Sequence, residues 1–460
     1  MTMKDIYLLS YSVKGIKTLD QLVTLSFYKK TISADPDTQK YNIKGIYGIN
    51  GSGKSAIVSS VEILRNLLID SGYLNNPIAQ RNLDAMINKK TGKLFIEASY
   101  MVKAETVLMI FFYSVTLEKD ISEKFVISHE CLSAKKAETK SESKEILFEV
   151  ADGEIVSISK KAEESDFSAR IMNKTMNLLD TATLCALFYE KFLVPGVKNL
   201  REQKGIIWAY FCLLYFFGKK LHVYLDQSDD HRSYVAKKSL QSDKGSGQYK
   251  NEVDILLKNF MEMDNDHLNV ISITGNVVSK SQYEDFQKYI TKLYEFLHIF
   301  KSDLRGIEID KKENRDLWVC DLVMVYESYK IHAEFESTGI KKLIKLFAYL
   351  REMVDGGIVF IDEFDSNLHD VYLCALLEYL MEYGEGQLCF TTHNVGPMDI
   401  LRQRKKSIDF LSEDHRIYSW KTNGNYSPSK LYRNGMIEGS PFNVDSIDFI
   451  GVFGSDEEEE

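Results

Sequence analysis

The sequence has no close pair among its six cysteines: Cys131, Cys185, Cys212, Cys320, Cys374 and Cys389 are scattered. Closely spaced thiols mark zinc sites and disulfide frameworks, so neither is expected, and a reducing cytoplasm fits this usage. It also has no apolar run of membrane length. The longest, 206–217 (IIWAYFCLLYFF), falls well short of the ~20 residues a spanning helix needs, and it reads as a buried or interface helix. The first residues, MTMKDIYLLSYSVKG, lack the apolar core and small-residue cleavage site of a secretory signal. There is no internal repeat and no excess of positive charge. With 57 Lys plus Arg against 67 Asp plus Glu, the net charge is −10, and the surface as a whole repels nucleic acid. Lys341, Lys342, Lys345 and the RQRKK run at 402–406 are the obvious basic clusters, and both read as solvated helix faces.

What remains is an ordinary globular composition, 44% hydrophobic and 27% charged over 460 residues. That is enough for a sizeable core and suggests two structural units or one domain with a large insertion. At the N-terminal end, IYLLSYSV, LVTLSFY and IKGIYGI read as strands, and the last leads into GSGKSAIVSSVEILRNLL, where Ile57, Val61, Leu64 and Leu68 keep helical spacing. After a turn region, LLIDSGYLNNP, the segments KLFIEASYMV and TVLMIFFYSVTL read as paired strands. From about residue 118 to 299 the pattern changes. Short strands near EILFEVADGEIVSIS give way to helical segments such as MNLLDTATLCALFYEKFL, and QSDKGSGQYKN reads as a flexible loop. Tyr283, Phe286, Ile290, Leu293 and Leu297 keep heptad spacing for about two heptads, too short for a coiled-coil arm. Strand and helix alternate again from residue 300, as an α/β core requires. The closing DEEEE reads as a solvated tail.

Residues 48–55, GINGSGKS, match G-x-x-x-x-G-K-[ST]. Such a loop wraps backbone N–H groups around a diphosphate, carries a lysine to the β- and γ-phosphates, and offers a hydroxyl to Mg²⁺. The candidate ATP-binding residues are therefore Asn50, Gly51, Ser52, Gly53, Lys54, Ser55 and Ala56, with Lys54 also a candidate catalytic group. Residues 358–363, IVFIDE, read as a buried parallel strand with two acids at its carboxyl end, where such sheets bind ligands. Asp362 is the candidate second Mg²⁺ ligand beside Ser55, and Glu363 the candidate that polarises the attacking water. Lys54 and Asp362 lie 308 residues apart (362 − 54), so the nucleotide-binding core is split in sequence.

A split head of this kind resembles the ABC-type ATPases of the SMC and RecF kind. Together GINGSGKS, ESTGIKKL (336–343), VFIDEFDSNLH and FTTHN resemble the AAA-type, ABC-class ATP-binding proteins of bacterial defence systems, alongside the OLD ATPases. Among these, the ATPase subunits of PARIS phage-defence systems are the most similar. The resemblance covers roughly 1–117 and 300–450, including LYRNGMIEGSPF near the end, and leaves the middle unexplained.

It implies an α/β fold, an ABC-type P-loop ATPase head split by a mainly helical insertion. Residues 1–117 would form the N-terminal lobe with the P-loop, 118–299 the insertion, and 300–460 the C-terminal lobe. Ser337, Thr338 and Gly339 would form the signature loop that contacts ATP held by a second subunit, although Ser337 or Thr338 can equally cap the following helix. Ser366 and Asn367 would form the loop crossing the dimer interface, and His393 would contact the γ-phosphate and water. The implied cofactors are ATP and Mg²⁺. The implied partners are a second copy or a higher oligomer, a phage-encoded trigger and, since no TOPRIM segment follows within this chain, a separate TOPRIM-like nuclease effector. No membrane is involved. The alternative is a RecF- or SMC-like repair ATPase that grips DNA, which steep salt dependence would reveal. Two departures stand out: Asp370 replaces the family's frequent proline after SNLH, and Gln80 is the candidate for a glutamine loop that cannot otherwise be placed.

Overall fold

The computed structural model describes residues 6–33, 35–104, 107–137, 144–159, 175–188, 206–225, 270–421 and 426–441. Among these residues the chain is a mixed α/β structure with three sheets. The first sheet is antiparallel and contains β1 (Ile6–Lys14), β2 (Val23–Ser26), β4 (Lys93–Ala104), β5 (Val107–Lys119), β6 (Phe125–Lys136), β7 (Glu145–Ala151) and β8 (Glu154–Ile158), ordered β2-β1-β4-β5-β6-β7-β8. Helix α1 (Lys54–Ile69) packs into the large core beside it, with Ile57, Val58, Val61, Leu64, Leu67 and Leu68 buried.

The second sheet carries the chemistry. Its order is β17 (Ile417–Ser419), β16 (Ile408–Leu411), β3 (Ile43–Tyr47), β15 (Gln387–Thr391), β14 (Ile358–Ile361) and β9 (Leu221–Tyr224), parallel except for β17. Every residue of β3, β14 and β15 is buried, as expected of strands covered on both faces. The polar members of these strands are paired. Lys44 Nζ meets Asp409 Oδ2 at 2.6 Å with both side chains almost fully buried, and the Gln387 amide exchanges two hydrogen bonds with Leu8, at 2.6 and 3.0 Å, tying β15 to β1.

The third sheet comprises β10 (Asn276–Ser279), β11 (Leu304–Asn314), β12 (Leu317–Tyr326) and β13 (Lys330–His332). On β12 the alternate residues Cys320, Leu322, Met324 and Tyr326 are buried, the pattern of an antiparallel sheet covered on one face. They pack on Phe286, Ile290, Leu293 and Leu297 of α5 (Tyr283–Phe300) and on Ile340, Leu343, Ile344 and Phe347 of α6 (Thr338–Val354). Two short helices complete the N-terminal half: α2 (Pro77–Met86) and α3 (Leu184–Phe188).

The apolar run at 206–217 lies within α4 (Ile206–Lys220), whose residues 211–217 belong to the main core. Among the described residues no helix is long and apolar enough to cross a membrane. Among its described residues the segment 118–299, expected as a mainly helical insertion, supplies strands as well as helices. Its expected start falls inside β5, β6 to β8 continue the first sheet, and β9 is the edge strand beside β14. Short apolar strands do not announce their partners, so periodicity separated what hydrogen bonding joins. The LLIDSGYLNNP stretch, expected as a turn, ends in α2, where Pro77 occupies the first turn and Asn76 Oδ1 accepts from Ile78 N at 2.9 Å. The QSDKGSGQYKN segment lies outside the described residues.

Candidate functional site

The strand order brings three loops together. β15 lies between β3 and β14, so the P-loop, the Thr391–His393 segment and the Asp362–Glu363 pair emerge side by side at the carboxyl ends of three adjacent parallel strands. Open α/β sheets bind ligands at that edge. One cleft is lined there by Asn50, Gly51, Gly53, Lys54, Ser55 and Ala56 together with Glu363, Thr391 and His393.

The P-loop turns into α1 at Gly53, whose φ of +104° and 2.5 Å approach of a would-be Cβ to Leu19 Cδ2 both demand glycine. Lys54 Nζ donates to the loop carbonyls of Gly48, at 2.7 Å, and Ile49, at 2.9 Å. Ser52 Oγ is buried without a hydrogen-bond partner among the described residues. The first N–H groups of α1 face the same cleft and favour an anion there. Behind the loop, Tyr432 on α8 (Pro428–Arg433) lies close to the Gly48 backbone and stacks on Phe410 of β16. This places the start of the LYRNGMIEGSPF segment near the loop.

The acid pair is set by one hydroxyl. Thr391 Oγ1 donates to Asp362 Oδ1 at 2.6 Å and accepts from Glu363 N at 2.8 Å. Glu363 adopts φ +48°, a left-handed conformation that costs a non-glycine residue about 1–2 kcal/mol. Its carbonyl accepts from Lys342 Nζ. Lys54, Ser55 and Glu363 thus face one space, and the oxygens of Ser55 and Asp362 are the hard donors Mg²⁺ prefers. Among the described residues no three His, Cys, Asp or Glu side chains are grouped to hold a metal by themselves. A metal at this site would take its remaining ligands from water and from nucleotide oxygens.

Burial pushes the Lys54 ammonium down to about 8, against the pull of Asp362, Glu363 and Asp365. Burial, and then the Lys54 charge, lower His393 below its ordinary value while the same three carboxylates oppose. Asp365 is therefore part of the site's field, with Oδ1 buried and unpartnered among the described residues. Sequence reasoning missed it, and it also missed Lys17 and Thr18. These two lie on the turn after β1 and line the same cleft. No local pattern marks them, since only the packing of Leu19 on Gly53 brings that turn over the loop.

Ser337, Thr338 and Gly339 do not line this cleft. They sit at the start of α6, where Ser337 Oγ accepts from Ile340 N at 3.3 Å and so caps the helix. Thr338 Oγ1 donates to Asn367 Oδ1 at 3.3 Å, and a Cβ on Gly339 would lie 2.6 Å from the Asn367 carbonyl oxygen. These residues and Ser366–Asn367 therefore form one surface cluster. Asp370 begins α7 (Asp370–Tyr383) and accepts from Asn394 Nδ2, bracing the residue after His393.

Gln80 is not at the site. Its amide donates to Leu74 O at 2.7 Å and to Phe125 O at 2.9 Å, and accepts from Phe125 N at 2.8 Å. It is used to fasten α2 to β6. The basic clusters are likewise engaged in part: Lys342 is buried, Arg404 donates to Met381 O at 3.0 Å, and Lys406 donates to Ser26 Oγ at 2.8 Å.

Residues 247–399 match the family model described as "AAA domain, putative AbiEii toxin, Type IV TA system". The matched span contains Ser337, Asp362, Glu363 and His393 but not the P-loop. No curated protein matches the chain. A solved structure of the recombination mediator protein RecF, as RecF-ATPrS in the RecFOR pathway, aligns over 91% of this chain and 99% of its own, at 12% identity and a TM-score of 0.36. That likeness is too slight to build on. Together the cleft and the matched model support a P-loop ATPase, the likeness to the AAA domain model falling on residues 247–399.

Proposed function

We propose that the protein is an ABC-type ATPase that sandwiches ATP between two copies of itself and serves as the sensor and scaffold subunit of a bacterial anti-phage defence system. In this reading it holds a separate, TOPRIM-like nuclease effector and changes that hold when a phage-encoded trigger is met in the cytoplasm. This reading likens the protein to the ATPase subunits of PARIS-type systems. The observation that carries the ATPase part is the convergence of Lys54, Ser55, Glu363, Thr391 and His393 on one cleft, while Ser337–Gly339 lie on the surface outside it. A loop with an exposed serine hydroxyl at a helix N-terminus, outside its own nucleotide cleft, suits the nucleotide of a second copy.

Lys54 and the N-terminus of α1 bind the phosphates. Ser55 and Asp362 would hold Mg²⁺, which would supply charge screening for the transferring phosphoryl group. Glu363 accepts the proton of the attacking water. His393, whose pKa burial and the Lys54 charge lower, offers a hydrogen bond to the same water or to the γ-phosphate. Ser337 and Gly339 close the site from the partner copy, and Ser366 and Asn367 lie at the seam.

The test is Glu363→Gln, assayed for ATP turnover and for native mass with Mg-ATP in the presence of the chain's genomic neighbours. Turnover should fall at least 100-fold, as for loss of a general base. The ATP-bound assembly should accumulate, with a nuclease-like protein retained in it. Unchanged turnover removes the catalytic assignment, and an assembly lacking any second protein removes the scaffold role.

A further inference from the structure

Lys342 lies five positions after Ser337 on α6 and is only 4% exposed. A buried ammonium must be compensated, and this one donates to the Glu363 carbonyl and to Ser366 Oγ. It also lies 5.8 Å from the centre of the Tyr224 ring, whose own carbonyl accepts from Asp362 N at 3.0 Å. One lysine on the helix that begins at Ser337 therefore touches the backbone of the acid pair and the loop that follows it.

The grip falls on the peptide unit that needs one. Glu363 is held at φ +48°, and strain of this kind persists only where the surroundings over-determine it. Its N–H is fixed by Thr391 and its C=O by Lys342. Releasing either end lets the residue return towards ordinary backbone angles, and the carboxylate swings with it. The contacts also close a ring. Ser366 precedes Asn367, which meets Thr338 and Gly339 at the start of α6, and α6 leads back to Lys342.

We propose that Lys342 is a positioning residue that sets the Glu363 carboxylate for hydrolysis and ties its placement to the loop at Ser337–Gly339. Through it, nucleotide held against that loop by a second copy is sensed at the glutamate of this copy's own cleft. The inference rests on the reading of Glu363 as the group that activates water.

The experiment compares Lys342→Met, Lys342→Arg and Ser366→Ala in the full-length chain, alone and combined with Glu363→Gln. It measures kcat, KM and the Kd for a fluorescent ATP analogue. Lys342→Met should lower kcat about 100-fold, the scale of a misplaced catalytic group, with Kd within about threefold of wild type. Lys342→Arg, whose fork can reach both oxygens, should recover most of the loss. Lys342→Met added to Glu363→Gln should cost nothing further, because residues acting through one another are not additive. An equal fractional loss in the Glu363→Gln background, or a rise in KM with kcat intact, overturns the proposal.

If Lys342→Met does not fold, Ser366→Ala decides. Loss of one acceptor to a charged donor should cut kcat about tenfold, and wild-type turnover there overturns the proposal. If Glu363→Gln itself hydrolyses ATP normally, the catalytic reading fails first. If Glu363→Gln is inactive while the Lys342 variants are normal, only the role of Lys342 fails.

Discussion

Replacing Thr391 by valine removes one oxygen atom from the centre of the site and leaves its shape almost unchanged. Thr391 is 1% exposed, so no water substitutes readily for the hydroxyl. The variant loses a charge-assisted bond to Asp362, a class worth about 1.5–3 kcal/mol. It also leaves the Glu363 N–H without its acceptor, a further penalty of about 1–3 kcal/mol if the group stays buried. Glu363 can escape part of that penalty by abandoning φ +48°, which recovers about 1–2 kcal/mol of strain but displaces the carboxylate. We therefore expect an unfolding free energy lowered by about 2–4 kcal/mol and a kcat lowered about 100-fold. Urea denaturation followed by fluorescence and steady-state phosphate release measure the two. Thr391→Ser keeps the oxygen and loses a methyl, so it should cost only about 1 kcal/mol and stay close to wild-type turnover. If serine is as damaging as valine, methyl packing and not the hydroxyl holds the acid pair, and the argument fails.

Ser337→Arg places a bulky cation on a surface loop outside the cleft, so ATP binding by the isolated chain should stay within about threefold of wild type while turnover and ATP-dependent assembly disappear. Loss of nucleotide binding would show that the loop belongs to the chain's own cleft. Lys54 loses its proton near pH 8 in the nucleotide-free protein, and a phosphate requires the ammonium form. Apparent ATP affinity should therefore fall by up to tenfold per pH unit as pH rises from about 8 towards the ordinary lysine value. Equilibrium binding across pH 7–10 checks this. A Lys54→Arg chain, whose guanidinium stays charged, should show no such slope, even if its affinity is lower throughout.

The linear sequence was enough to locate the P-loop, because G-x-x-x-x-G-K-S is a local device: backbone conformation, the lysine and the helix N-terminus all lie within one turn. It was enough for the acid pair too, because a buried parallel strand must be apolar along its length and the polarity of Asp362 and Glu363 stands out where it ends. The apolar runs of α4, α5 and α6 showed their helices for the same reason.

Only the tertiary structure decided which distant residues meet. That β15 lies between β3 and β14, and so delivers His393 between phosphate loop and acids, is a matter of strand order. Lys17, Thr18 and Asp365 carry no local pattern, and they join the site through packing alone. Gln80 offered the right side chain but spends its amide on Leu74 and Phe125, a use that only the hydrogen-bonding partners reveal. The boundary drawn at residue 118 passed through a continuous sheet because pairing is a long-range property. Lys342 read as one more solvated lysine in a basic run, yet folding turns it inward onto Glu363 and Ser366. Hydrophobic periodicity reports which face of a helix is buried, but it does not reveal that a charge on that face has found its oxygens.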